Sequence, residues 1–480
     1  MLWTPCSTGK TRSGTTFSAW ASDFNLSAAV QRAVLAENEA ERMNSVDEEW
    51  PPPPRDPLNE VDDQYPPEAP DPSNTVDDAS PSPPLSKKRK RSPPVIFEDV
   101  VAAGKPLSGS HRRRRVKRKL EVQANGHKPL LSTTNQVVAP SLPLFAPILN
   151  AATLPTASGA YGAKNETEDE KRGGSQRRSV KDLLASGFQL IKWDGIGARP
   201  LVDSCRRIFA VLAGQPTKNG FANAVSRAYS FIKEQGAAAP FTPNMLHHRR
   251  GLFAAINVGI VLGKGQPDPT RNNNHGCVAL ENALLGNADI QRMAHFASSA
   301  FAMWAPRLHA HYVSNNRKLH KKLPHLQRPF PESVFSCAAF NFATASAPNV
   351  WTFKHRDVTN LPFGWCAVQA LGIFDATKGG HLILWDAKLV IEFPSGALIL
   401  LPSATIAHSN VPVQDGDERI SFTQFTAGAI FRWVDNGGCT LAKLAKDNPA
   451  RFAELTKERE KRWEMGLGLF STVEELVLQK

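Results

Sequence analysis

The hydrophobic pattern divides the chain unevenly. From Ser333 to Val434 short apolar runs alternate with turn residues. The turns fall at Pro348-Asn349, Lys378-Gly379-Gly380, Pro394-Ser395-Gly396 and Gln414-Asp415-Gly416-Asp417. Such spacing predicts many short strands closing on each other, as in a double-stranded β-helix of the jelly-roll or cupin kind. Within it, Glu418 to Phe425 alternates. Arg419, Ser421 and Thr423 fall on one face, with Ile420, Phe422 and Phe425 mostly on the other, the mark of a half-buried strand.

Upstream the period changes. Residues 276–321 carry Leu280, Leu284, Leu285, Met293, Phe296, Phe301 and Trp304 at helical spacing, which predicts helices buttressing a barrel rather than a cofactor box. Asn223 to Lys233 also reads as helix, and Arg207 to Leu212 as a strand ended by Gly214 and Pro216. Order is expected to begin near Ser179, where Leu183, Leu184, Phe188 and Ile191 precede Trp193-Asp194-Gly195. After Gly437-Gly438 the tail is expected to turn helical: Asn448-Pro449 offers a cap with proline at the first helical position, and Ser471 to Glu474 has the pattern of a capping box.

Residues 1–178 show no sustained period. Glu48 to Pro84 is acidic and proline-rich, a composition that buries too little apolar surface to offset chain entropy. Val137 to Leu154 is apolar but broken by prolines, and reads as linker. Phe24 to Met43 reads as a transient amphipathic helix. The expected organisation is α+β: a disordered arm over 1–178, a folded domain over 179–440 (helical support 179–332, β-helix core 333–440) and a helical tail over 441–480.

Charge sharpens this picture. Fifty-seven basic against 45 acidic residues give +12 at neutral pH, which favours a polyanionic partner. Two dense basic runs, Lys87 to Arg91 and Arg112 to Lys119, suit nuclear import or phosphate contacts. Six cysteines lie scattered without a C-x-x-C pair, so reduced thiols are expected rather than a zinc ribbon or disulfide frame. No apolar run reaches membrane-spanning length, and no membrane partner is expected. His309, His311, His320 and His325 sit in a basic segment without a recurring carboxylate; they read as phosphate contacts or as nothing special, not as metal ligands. His247-His248-Arg249-Arg250 reads as phosphate or metal chemistry, or as an exposed loop.

The candidate chemistry lies in the strand-rich part. His355 and Asp357 are two residues apart, so an extended backbone presents both to one face. A third ligand must come from elsewhere. His408 is the first candidate, and His381 ranks second because no Arg-x-Ser follows it at a suitable distance. Two histidines and one carboxylate form a facial triad with open positions, the signature of non-haem iron(II) oxygenases. A metal-free barrel or a zinc site remains the alternative. Arg419 and Ser421 follow His408 on one strand face, and a guanidinium matches a carboxylate with two parallel bonds. The distal carboxylate of 2-oxoglutarate is the natural guest. Asn341 and Asn360 read as contacts to substrate or cosubstrate, or as strand-end caps, and His381 as a further contact.

These residues carry a resemblance. Phe340-Asn341-Phe342, His355-Arg356-Asp357 with Asn360, Phe363-Gly364-Trp365, Ala370-Leu371-Gly372, Gly379-Gly380-His381, Phe393 to Gly396, Pro402-Ser403-Ala404, His408-Ser409-Asn410, Glu418 to Ser421 and Gly428 to Trp433 resemble the fungal, mobile-element-associated branch of the TET/JBP-type dioxygenases. Weaker similarity reaches upstream to about Lys181. The resemblance implies that His355, Asp357 and His408 hold Fe(II), that Arg419 holds 2-oxoglutarate, and that O2 is the oxidant. It implies oxidation of a methylated nucleobase of the 5-methylcytosine kind; the basic arm and its import-like clusters suit a DNA or RNA target in the nucleus. The same iron chemistry on a protein side chain, or a noncatalytic nucleic-acid-binding relative, are the competing readings.

Overall fold

A computed structural model describes residues 109–478, except 166, 168–174, 219, 264, 275 and 346, together with one short ladder nearer the amino terminus. That ladder pairs β1 (Thr8–Lys10) with β2 (Thr16–Ser18). The acidic proline-rich stretch, the Phe24–Met43 segment and the Lys87–Arg91 run lie outside the described residues, as does the separate unit Ser45–Pro106.

The described strands continue as β3 (Leu144–Phe145), β4 (Gln189–Ile191), β5 (Arg199–Val202), β6 (Ile208–Gly214), β7 (Ala254–Val261) and β8 (Thr270–Arg271). Then come β9 (Cys337–Phe342), β10 (Cys366–Ile373), β11 (Leu382–Leu384), β12 (Leu389–Ile391), β13 (Leu398–Leu401), β14 (His408–Asn410) and β15 (Glu418–Phe425). A nine-stranded sheet runs β3-β5-β6-β13-β10-β15-β9-β7-β8, and a four-stranded sheet runs β14-β11-β12-β4. His355 bridges His408 and adds one more extended segment beside β14. Counted from β9, with the His355 segment second, one sheet holds strands 1-8-3-6 and the other 2-7-4-5. That is jelly-roll connectivity, the core expected for Ser333 to Val434. Strands β3, β5, β6, β7 and β8 widen the larger sheet on both sides.

Alternation along β15 decides what lies inside. Ile420 and Phe422 pack outward with Phe340, Phe342 and Leu371 against helix residues Val225, Tyr229, Ile232, Ile290 and Met293. The opposite face, with Arg419 and Ser421, therefore looks into the roll. The expected buttress is three helices, Val278–Gly286, Ala288–Trp304 and Pro306–Lys322. The Asn287 side chain caps the second by accepting from the Asp289 and Ile290 amides, and Pro306 opens the third at its first turn. Helix Phe221–Ala237 packs beside them. No helix among the described residues is long and apolar enough to cross a membrane.

The boundary at 178 needs correction. Residues 138–163 do not hang free: Val138, Ala146, Leu149, Ala151 and Leu154 are buried in the principal core. β3 pairs in parallel with β5, and the buried Asp203 carboxylate accepts from the Ala151 amide and from Arg207. The segment is an extended strap. Its prolines remove any helical period, while its core partners lie some fifty residues downstream. The carboxy-terminal helix Pro449–Leu467 clamps the same strap: Arg462 donates to the Gly159 carbonyl and Trp463 to that of Ala152. The five described cysteines are free thiols, as their spacing predicts.

Two of the histidines read as phosphate contacts pack inward, His309 fully and His311 by half. His309 is buried, and His311 stacks on Phe431 with ring centroids 5.2 Å apart. His127, His295 and His309 gather near Lys119, Arg328 and Glu332. Burial first, then mutual repulsion or nearby cations, pushes these three imidazoles down to about 4, 4 and 3. Unfolded histidines bind protons near pH 6.5. Between about 6.5 and 4 the unfolded chain therefore holds more protons, and stability falls as pH falls. Thermal unfolding should begin several degrees lower at pH 5 than at pH 7.5, and His309→Leu should flatten that dependence; equal midpoints at both pH values would remove this cluster from the stability account.

Candidate metal centre

Among the described residues, one group of three ligand-type side chains converges: His355, Asp357 and His408, their ligand atoms all within 4.8 Å of one another. The Nε2 atoms of His355 and His408 each stand 3.8 Å from a different oxygen of the Asp357 carboxylate. Neighbouring ligands about 2.1 Å from a small octahedral cation lie roughly 3 Å apart, so modest side-chain rotation closes the triangle.

The backbone explains the convergence. His355 and His408 exchange both amide–carbonyl bonds, His355 N to His408 O at 3.1 Å and the reverse at 3.0 Å. This directly opposed pair puts both rings on one face, with centroids 4.3 Å apart. Asp357 follows two residues on, and its amide donates to the Ser403 carbonyl. Each imidazole is oriented from behind: Nδ1 of His355 donates to the Phe353 carbonyl at 2.7 Å, and Nδ1 of His408 to that of Ile406 at 3.0 Å. The proton is thereby fixed on Nδ1, leaving the Nε2 lone pairs free for a metal.

Electrostatics favour the same arrangement. Burial, then His408, depresses the His355 imidazolium well below its usual range, so the ring is neutral near pH 7. Burial alone would raise the Asp357 carboxyl. Coulombic attraction, to the two imidazoles in their protonated form and to Arg250 and Arg249, outweighs it and holds the group far down, as an anion. Neutral nitrogens and an ionised carboxylate are the protonation states that metal binding needs.

Arg356, between the two ligands, points the other way. It donates to Asp386 at 2.8 Å and to the Thr405 carbonyl at 3.2 Å, while Asp386 also accepts from the Ala407 amide at 2.6 Å. One ion pair thus ties both ligand-bearing segments from behind. Arg356→Leu should weaken iron(II) binding roughly 10- to 100-fold, the usual cost of losing an outer-shell support. Competition with a chromogenic chelator measures it, and unchanged affinity would show the ligand segments hold their places unaided.

The anion clamp lies on β15. Arg419 is 4 % exposed. Its Nη1 donates to the Val350 carbonyl at 2.9 Å, while its Nε has no partner. Burial pulls the guanidinium down only to about 10, so it stays charged at neutral pH. A buried, unneutralised cation costs several kcal/mol, and an incoming carboxylate removes that cost. Gly372 is the residue opposite Arg419. Its φ is +146°, and a Cβ there would meet the Glu418 carbonyl at 1.9 Å, so only glycine permits this pairing. Ser421 lies next inward, paired with Asn341, whose Nδ2 donates to the Ser421 hydroxyl at 2.8 Å while its Oδ1 lacks a partner. Two imidazoles that present Nε2, one carboxylate and a buried guanidinium without a carboxylate partner among the described residues fit an iron(II) ion with a dicarboxylate chelator.

The other sequence candidates fare differently. Asn360 is a support: its Nδ2 faces Cys366 and Ser403, and its amide closes the turn onto the Asp357 carbonyl. His381 does not join the triad. It is buried just before β11, two residues from Ile383, which packs in an outer cluster with Leu183 and Val390. The Arg249 guanidinium stands 4.0 Å from Asp357, and the Arg250 carbonyl accepts from the Phe353 amide. The 247–250 run therefore borders the metal centre. The sequence signal was present, four basic or imidazole residues in a row, but nothing local tied that loop to a site a hundred residues away.

No family model matches the chain, and no curated protein matches it. Among solved structures, one described as NgTET1 in complex with 5mC DNA is 14 % identical, with a TM-score of 0.35, covering 52 % of this chain and 91 % of that one. An oxidoreductase of the 2OG-Fe(II) oxygenase family from Burkholderia pseudomallei is 18 % identical, with a TM-score of 0.25, covering 44 % of this chain and 91 % of that one. Likeness of that degree fixes neither family nor activity.

Proposed function

We propose that the chain is an iron(II)- and 2-oxoglutarate-dependent dioxygenase that oxidises a methylated base in nucleic acid, in the nucleus. The observation that carries the reading is the His355–Asp357–His408 triad facing the same interior as a buried guanidinium that lacks a carboxylate partner among the described residues. His355, Asp357 and His408 would hold iron on one face, leaving three positions for cosubstrate and dioxygen. Bound iron(II) supplies the coupling of 2-oxoglutarate oxidation, to succinate and carbon dioxide, with insertion of one oxygen atom into a C–H bond. Arg419, with Ser421 beside it, would fix the distal carboxylate and so orient the keto-acid end toward the triad. The apolar walls of the roll restrict water around the centre.

The nucleic-acid assignment rests on charge and on the TET/JBP-like motifs. The chain carries +12, and Arg249 and Arg250 place two further cations beside the metal carboxylate, favouring a polyanion at this mouth. A base in duplex would have to swing out of the stack to reach the roll. The two basic runs support nuclear import. The test is mass spectrometry of nucleosides from methylated DNA and RNA incubated with protein, iron(II), 2-oxoglutarate and ascorbate. Oxidised methyl groups are expected in at least one arm and in none with His355→Ala. Succinate formation driven by peptides but by neither nucleic acid would transfer the same chemistry to a protein substrate.

A further inference from the structure

The basic run Arg112 to Lys119 is not a loose tether. It is the middle of a 17-residue helix, Gly109–Asn125, with seven basic residues and one acidic residue, Glu121. Its length is about 25 Å. The helix is rooted at its carboxy-terminal end on the buttress. Arg328 donates to the Gln123 carbonyl at 2.9 Å and Arg317 to the Ala124 carbonyl at 3.0 Å, with Asn125 also bonded to Arg317. Lys119 reaches Glu332 at 3.7 Å, and His127 donates to the Glu332 carbonyl at 3.0 Å. Gly126, at φ +72°, presses against Val313 and His309, where a Cβ would come within 2.7 Å of both. Two body arginines thus cover the carbonyl end of the helix, where a cation is most favourable.

Beyond that root the helix projects. Arg112 to Arg118 are all exposed, around the whole circumference. Arg113 with Lys117, and Arg114 with Arg118, stand at i,i+4, a spacing at which like charges disfavour helix. A polyanion along the helix relieves that repulsion. The basic surface continues onto the rooting helix, where Arg317, Lys318, Lys321 and Lys322 are exposed, and no acidic residue occurs from Pro306 to Pro331.

We propose that this rooted helix, with the end of helix Pro306–Lys322, is a phosphate-gripping arm for B-form duplex DNA, independent of base sequence. A helix with side chains is about 10–12 Å across, and the B-DNA major groove, about 12 Å wide, admits it. The narrow major groove of an RNA duplex does not. The exposed stretch offers arginines and lysines, the side chains that contact phosphates irrespective of base, and no asparagine or glutamine to read adenine. The inference deepens the nucleobase reading of the site and concerns binding alone.

The test uses the full chain and an unmethylated duplex, read by fluorescence anisotropy across a potassium chloride series. R113E/R114E/K117E is compared with K446E/K457E/K461E, the same charge change on exposed positions of the tail. The arm variant should bind more than tenfold more weakly at 0.15 M salt, with a log–log salt slope shallower by about 3, and the tail variant within threefold of the parent. In the parent chain, duplex should slow hydrogen exchange of amides 112–119. Equal weakening by both triple variants would reduce the effect to net charge, and unslowed exchange would place the DNA elsewhere. Equal affinity and protection with an RNA duplex would overturn the groove placement. Intact arm binding with no oxidised base in any turnover experiment would remove the proposed chemistry and leave this surface standing.

Discussion

Arg419→Met should raise the melting temperature and abolish cosubstrate binding together. The two effects share one cause. In the free protein the Arg419 guanidinium is buried and charged, bonded at Nη1 and without a partner at Nε. Replacing even a paired buried charge and its partner with apolar side chains of similar volume is often neutral or stabilising by about 1–4 kcal/mol, and Arg419 has no carboxylate partner among the described residues to offset its desolvation. Methionine also fits irregular space without demanding a partner. The same change removes the charge-assisted bonds to a carboxylate, each worth about 1.5–3 kcal/mol, so 2-oxoglutarate should bind roughly 100-fold more weakly or worse. Differential scanning fluorimetry with and without 2-oxoglutarate reads both quantities. A Met variant that melts lower, or that is still stabilised by 2-oxoglutarate as the parent is, would mean that Arg419 is an ordinary structural cation.

Asp357→Ala should remove iron(II) binding and all turnover while leaving the fold in place. Asp357 is the only carboxylate of the converging group. Losing it costs a ligand and the negative charge that offsets the metal, more than the roughly 10- to 100-fold that follows from losing an outer-shell support. The His355–His408 backbone bridge does not depend on this side chain, so β14 should keep its register. Equilibrium dialysis with iron(II) should find one ion per parent chain and none per variant. Full occupancy in the variant would place the ion elsewhere.

Much of this was legible in the sequence because the chemistry is written at short range. The i,i+2 pair His355 and Asp357 needs only an extended backbone, and the alternation of Arg419, Ser421 and Thr423 needs only a strand with one buried face. The turn residues between strands marked the roll. The remainder was hidden for a common reason: its meaning lies in partners far along the chain. Val137 to Leu154 looked like linker because its core contacts come from β5, β6 and the carboxy-terminal helix. Arg249 and Arg250 read equally as phosphate or metal chemistry and as an exposed loop, because only the pairing of the Arg250 carbonyl with Phe353 brings them to the metal carboxylate. His309 and His311 looked like surface cations because a basic segment does not reveal which helix face is inward. Asn360 reads equally as a contact or a support until Cys366 and Ser403 are seen around it.

The central claim is that the triad and Arg419 serve one ligand pair. Anaerobic equilibrium dialysis with labelled 2-oxoglutarate, with and without iron(II), tests it most directly. One 2-oxoglutarate per chain should bind in the presence of iron, with affinity lost both in His355→Ala, which lacks a metal ligand, and in Arg419→Met, which keeps the triad. Binding that ignores the iron, or that survives in both variants, would contradict the account.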